Sequence, residues 1–133
     1  MVTQPLWKEL RDDGRALIDA LRREHFPVSG AFWISNGYLR LVIASRLPSE
    51  KGPIQAYREF LRILHEMNLH ELDSIDVSVL SPTDPNYLTY YESLPYRSGW
   101  NPRDLQVHNA YIYFLEPDAR PARFEEGVKA REG

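Results

Sequence analysis

A chain of 133 residues is the length of one domain, and folding it should bury roughly two thirds of the surface its unfolded form exposes. Its 43% hydrophobic and 12% aromatic content lies outside the regime of disordered chains, and the absence of cysteine excludes disulfides, thiolate metal sites, iron–sulfur clusters and cysteine nucleophiles. The net charge of −3, with Asp73, Asp76, Asp84 and Glu92 but no Lys or Arg between Asp73 and Pro95, argues against duplex nucleic acid as a partner.

The amino terminus, MVTQPLWKELRDD, carries charges where a signal peptide needs an apolar segment, and no apolar run approaches the about 18 residues of a membrane span. The expectation is a cytoplasmic protein without membrane contact. Leu6, Trp7, Leu10, Leu17, Ile18 and Leu21 recur at helical spacing, which predicts a first helix opened by Pro5 and closed by Pro27. Gly14 falls on the same stripe, where it either permits close packing or divides the helix.

The stretch SGAFWISNGYLRLVIAS reads as two strands joined by Asn36-Gly37. A two-residue turn there would pair Ser35 with Tyr38, Ile34 with Leu39, Trp33 with Arg40 and Phe32 with Leu41. Phe32, Ile34, Leu39, Leu41 and Ile43 would then form the core face. Ala31, Trp33, Tyr38, Arg40 and Val42 would form a semi-polar second face, with the Arg40 guanidinium over the Trp33 indole.

Gly52-Pro53 opens a second helix with Ile54, Tyr57, Leu61 and Leu64 on one stripe, widened by Phe60, Ile63 and Met67. Ile75, Val77 and Val79 alternate as a third strand, Asp84-Pro85 starts a short helix bearing Tyr87, Leu88 and Tyr91, and VHNAYIYFL follows the loop LPYRSGWNPRD as a fourth strand. Beyond Glu116 the composition turns to charge, giving a single domain over residues 1–116 and a charged tail over 117–133. The order α-β-β-α-β-α-β predicts an α+β fold: one mixed four-stranded sheet with about three helices packed mainly on one face.

Where the third strand ends, SPTDP delivers Ser81, Thr83 and Asp84 into a turn. Strand ends of this kind hold ligands in open α/β sheets, and a triad of Ser81, His108 and Asp84 can be written down. No elbow glycines flank Ser81, and an Asp-Pro pair before a helical pattern is what a capping residue looks like. The segment His65-Glu66-Met67-Asn68-Leu69-His70 misses a zinc-protease helix, because a spacing of five turns its histidines roughly 140° apart. Phosphate-binding glycine loops and nuclease carboxylate–lysine strands are missing too, so no metal or cofactor is expected.

The remaining concentration of unusual chemistry is aromatic and cationic. Tyr96, Arg97, Trp100 and Arg103 sit among turn residues, and with Trp33 and Arg40 they have the side-chain types of interface hot spots. The spaced pattern AFW, GYLRLVIAS, Gly52 with Ala56-Tyr57, VLSPTDP and AYIY resembles small bacterial proteins of no assigned activity, a resemblance that implies a compact domain and no catalytic residue. The sequence therefore favours a non-catalytic protein-binding module, a small subunit or accessory factor, with a homo-oligomer compatible. The alternatives are a small-ligand or hydrolytic domain using the Ser81–Asp84 turn with His108 and, more weakly, a binder of single-stranded nucleic acid.

Overall fold

A computed structural model describes residues 3–35, 37, 39–69, 72–73, 76–95, 101–107 and 109–121. The elements run α1 (Thr3–Arg23), β1 (Gly30–Ser35), β2 (Leu39–Ala44), α2 (Leu47–Lys51), α3 (Pro53–Met67), β3 (Val77–Leu80), α4 (Pro85–Glu92), β4 (Arg103–Val107) and β5 (Ala110–Leu115), followed by a 3-10 turn over Pro117–Ala119. Among the described residues the strands form one five-stranded mixed sheet in the order β3-β2-β1-β5-β4, parallel only between β2 and β3. The α+β class stands, with one strand and one short helix more than the sequence pattern indicated. Among the described residues, no helix is long and apolar enough to cross a membrane.

Each difference has a local cause. The extra strand β4 is built from RDLQV, whose charged and half-exposed residues hide the period-two signal of a sheet edge. It takes the first residue of the expected VHNAYIYFL run, Val107, which pairs with Ala110. The short helix α2 arises in the polar loop after β2, with Pro48 in its first turn.

The β1–β2 register is corrected by one residue. Ser35 pairs with Leu39 and Trp33 with Leu41, so three residues rather than two separate the strands, and Gly37 supplies a left-handed φ of 94°. Because side chains alternate, this slip turns β2 over relative to β1, so that Trp33 shares a face with Leu41 and Phe32 with Val42. Trp33, Leu41 and Ile43 join α1 and α3 in one core; Phe32, Ile34, Val42 and Ala44 join Tyr87, Tyr91 and Leu94 in the other. Helices thus cover both sides, and α4 lies opposite α1 and α3. Trp33 and Arg40 belong to opposite faces, which removes the expected cation–π pair between them.

The registers on either side of Ala31/Phe32 differ by one residue: Ala31 pairs with Phe114 but Phe32 with Ile112, so Tyr113 is the extra residue of a bulge in β5. Tyr113 and Phe114, neighbours in sequence, both join the core beneath α1. The Arg15 guanidinium lies 5.0 Å from the Tyr113 ring centre and that of Arg22 lies 4.3 Å from Phe114. Gly14 is the point of closest approach between α1 and the sheet: a methyl group there would sit 2.3 Å from the Tyr113 hydroxyl. The choice left open for Gly14 resolves to close packing within one continuous helix.

Beyond β5, Ala119 is fully buried and its carbonyl accepts a hydrogen bond from the Tyr87 hydroxyl, so the start of the expected tail packs on the domain. Residues 122–133 of that tail lie outside the described residues.

Candidate functional site

The parallel pair β2–β3 ends in two loops that meet. Ser45 N–H donates to the Leu80 carbonyl at 2.9 Å, and this contact brings Ser49 on α2 to Ser81. Ser81 Oγ accepts from Ser49 Oγ at 2.8 Å and from the Thr83 amide at 3.3 Å, and lies 3.0 Å from Thr83 Oγ1. These contacts engage the Ser81 hydroxyl, and none of the partners is a base.

Asp84 has extended backbone angles and its Oδ1 accepts from the Asn86 amide at 2.7 Å, the geometry of an N-cap on α4. Asp84→Ala is expected to cost about 1 kcal/mol of stability and Asp84→Asn almost nothing, read from denaturant midpoints. An Asn variant that folds normally but loses a biological activity would assign the carboxylate a chemical role instead.

His108 lies outside the described residues. Its chain neighbours Val107 and Asn109 sit at the end of the sheet beside Ile34 and Ser35, where Asn109 Nδ2 donates to the Ser35 carbonyl at 3.0 Å. Ser81 follows Leu80 at the end beside Ala44 and Gly30, about 13 Å away along the strands before any strand-to-strand spacing is added. The backbone therefore separates the segments that would have to supply a Ser81–His108–Asp84 triad.

The aromatic and arginine residues divide as well. Tyr96, Arg97 and Trp100 lie outside the described residues, while Arg103 opens β4 with its side chain exposed. Trp33 is fully buried and donates its indole N–H to the Tyr113 hydroxyl at 2.9 Å, so its expected place on a partner surface is withdrawn. Arg40 is half-buried and donates to Ser78 Oγ at 2.9 Å.

Tyr111 and Tyr113 are covered by α1. The hydroxyl of Tyr113 donates to the Arg11 carbonyl at 2.6 Å, and burial pushes that phenol's pKa well up. The Tyr111 hydroxyl donates to Asp104 Oδ1 at 3.0 Å; burial and then the neighbouring carboxylate raise its pKa. Arg15 pairs with the same carboxylate oxygen, and Asp104 raises its pKa against the lowering effect of burial. This cluster ties α1 to the β4 edge, where Asp104 takes a left-handed φ of 50°.

What sequence reading missed lies on α3. Its inner residues Ala56, Phe60, Ile63 and Leu64 are buried, yet Ile54 is 75% and Tyr57 39% exposed, the large hydrophobic residues left outside among those described. With Pro53, Arg58 and Leu61 they line an open depression of about 380 Å³. The signal was present in the width of the pattern. At about 100° per residue, Ile54, Tyr57 and Leu61 centre roughly 125° away from Ala56, Phe60 and Ile63, a band wider than one core contact covers.

Further along the same helix, Leu64, His65 and Asn68 line a second depression of about 220 Å³ with Leu69, Leu72 and Asp73. His65 is exposed in the last turn and Asn68 closes the helix in a left-handed conformation; His70 lies outside the described residues. Among the described residues no group of three or more His, Cys, Asp or Glu could hold a metal ion. No family model, no curated protein and no solved structure matches the chain.

Proposed function

We propose that the chain is a non-catalytic protein-binding module, a small subunit or accessory factor, whose contact surface is the outer stripe of α3 around Ile54, Tyr57 and Leu61. The observation that supports this reading is the contiguous exposure of Ile54 and Tyr57 on a helix whose other apolar side is already packed. Single exposed apolar residues are ordinary, but here they line one concavity and are joined by Leu61. Covering a side chain such as Ile54 is worth about 1.5–3 kcal/mol, which a partner would supply. The hydrolytic alternative has the weaker support, since the Ser81 hydroxyl is engaged by Ser49 and Thr83, neither of which is a base.

A photo-crosslinking amino acid placed at Tyr57, with Thr89 on α4 as the control position, tests the reading in the cells that express the chain. Thr89 is exposed on the opposite side of the sheet. A discrete protein adduct from Tyr57 and none from Thr89 is expected. Equal adducts from both positions, or none from Tyr57, would refute it.

A further inference from the structure

The two edges of the sheet differ in what they offer a further strand. At one edge β3 is four residues long, a short template. At the other edge no strand lies beyond β4 among the described residues. Parity fixes which backbone groups of β4 point outward. The Asn109 carbonyl accepts from the Ser35 amide on β1, so the alternate residues Ala110 and Ile112 direct their groups to β4, where they pair with Val107 and Leu105. Asp104 and Gln106 are therefore the positions whose N–H and C=O face away from the sheet.

An extended β4 would be complementary to itself. Two copies running antiparallel about Leu105 would set Asp104 of each opposite Gln106 of the other, and every hydrogen bond across that contact would involve one Asp104. Asp104 is not extended. Its φ of 50° is left-handed, a conformation disfavoured for residues other than glycine, and it breaks the row of outward groups at the residue that both pairs need.

Two side chains hold it there. Asp104 Oδ1 accepts from the Tyr111 hydroxyl at 3.0 Å and pairs with the Arg15 guanidinium, which itself lies 5.0 Å from the ring centre of Tyr113. Tyr113 is buried and its hydroxyl donates to the Arg11 carbonyl, so the holding groups are anchored in α1 and the core. Both contacts are made with Asp104 in its left-handed state and weigh toward that state.

We propose that Asp104, held by Arg15 and Tyr111, is a guard that keeps the β4 edge from pairing with β4 of a second copy of the chain, and that releasing its carboxylate opens the edge to that pairing.

Sedimentation velocity and amide hydrogen exchange on the full chain test it. The wild-type chain should show a rapidly exchanging Gln106 amide at every concentration. Two release variants are compared with it: Arg15→Ala combined with Tyr111→Phe, and Asp104→Val, whose branched side chain resists a left-handed backbone. Each should strengthen self-association about tenfold and slow exchange at Gln106. Gln106→Pro added to either variant removes an outward N–H and none of those given to β5, and should restore wild-type behaviour. Release variants that keep the wild-type circular dichroism spectrum and associate no more strongly than wild type would overturn the proposal. So would self-association that survives Gln106→Pro, or a protected Gln106 amide in the wild-type chain. That last measurement needs no variant, so it decides the matter even where a release variant fails to fold.

Discussion

Replacing Trp33 with alanine is expected to lower the unfolding free energy by about 4 kcal/mol, the scale of truncating a fully buried aromatic. Trp33 has no exposed surface, packs in the core beneath α1 and α3, and gives its indole N–H to the Tyr113 hydroxyl. Truncation leaves a cavity and takes away a hydrogen-bond partner of Tyr113 in a buried position, and both effects act in the same direction. Trp33→Phe fills most of the space and should cost less than half as much. Urea denaturation followed by circular dichroism measures both; a loss below about 1 kcal/mol for the alanine variant would return Trp33 to the surface face that the two-residue turn implied.

Gly14→Ala should destabilise by about 2 kcal/mol, in the range of overpacking, although helix propensity alone favours alanine by about 1 kcal/mol. The added methyl would lie 2.3 Å from the Tyr113 hydroxyl and 3.1 Å from the Trp33 indole nitrogen. Tyr113 has little room to retreat, because its hydroxyl is held by the Arg11 carbonyl and by Trp33 at once. Removing that hydroxyl relieves the contact, so Gly14→Ala combined with Tyr113→Phe should cost clearly less than the two changes summed. A stabilised Gly14→Ala variant would mean that α1 stands further from β5.

These residues also mark what the sequence could and could not reveal. Helices α1 and α3 and strands β1, β2, β3 and β5 follow from apolar periodicity, and the Asp84 cap follows from Asp-Pro ahead of a helical pattern. The β1–β2 register did not follow. Phe32, Ile34, Trp33 and Leu41 are apolar on both sides of a sheet that turns out to be covered on both sides, so alternation could not choose the face and Asn36-Gly37 was left to decide it. Strand β4 escaped because an edge strand with Arg103 and Asp104 looks like loop.

The Tyr113 bulge carries no signature in AYIYFL. On α3 the mixture of inner and outer apolar residues was visible, but which of them faced the core depended on where α1 and the sheet lie. Ser81 shows the reverse situation: its place at a strand end was readable, and only the positions of Ser49 and Thr83 reveal that its hydroxyl is already in use.

The central claim is that the outer face of α3 carries the function and the hydroxyl turn does not. Quantitative co-isolation from the native cells of the wild-type chain, Ile54→Asp and Ser81→Ala, each first checked for an unchanged circular dichroism spectrum, tests it most directly. The expected result is a companion protein recovered in near-stoichiometric amount with wild type and with Ser81→Ala, and depleted at least tenfold with Ile54→Asp, equivalent to about 1.4 kcal/mol of binding. Undiminished recovery with Ile54→Asp, or loss confined to Ser81→Ala, would contradict it.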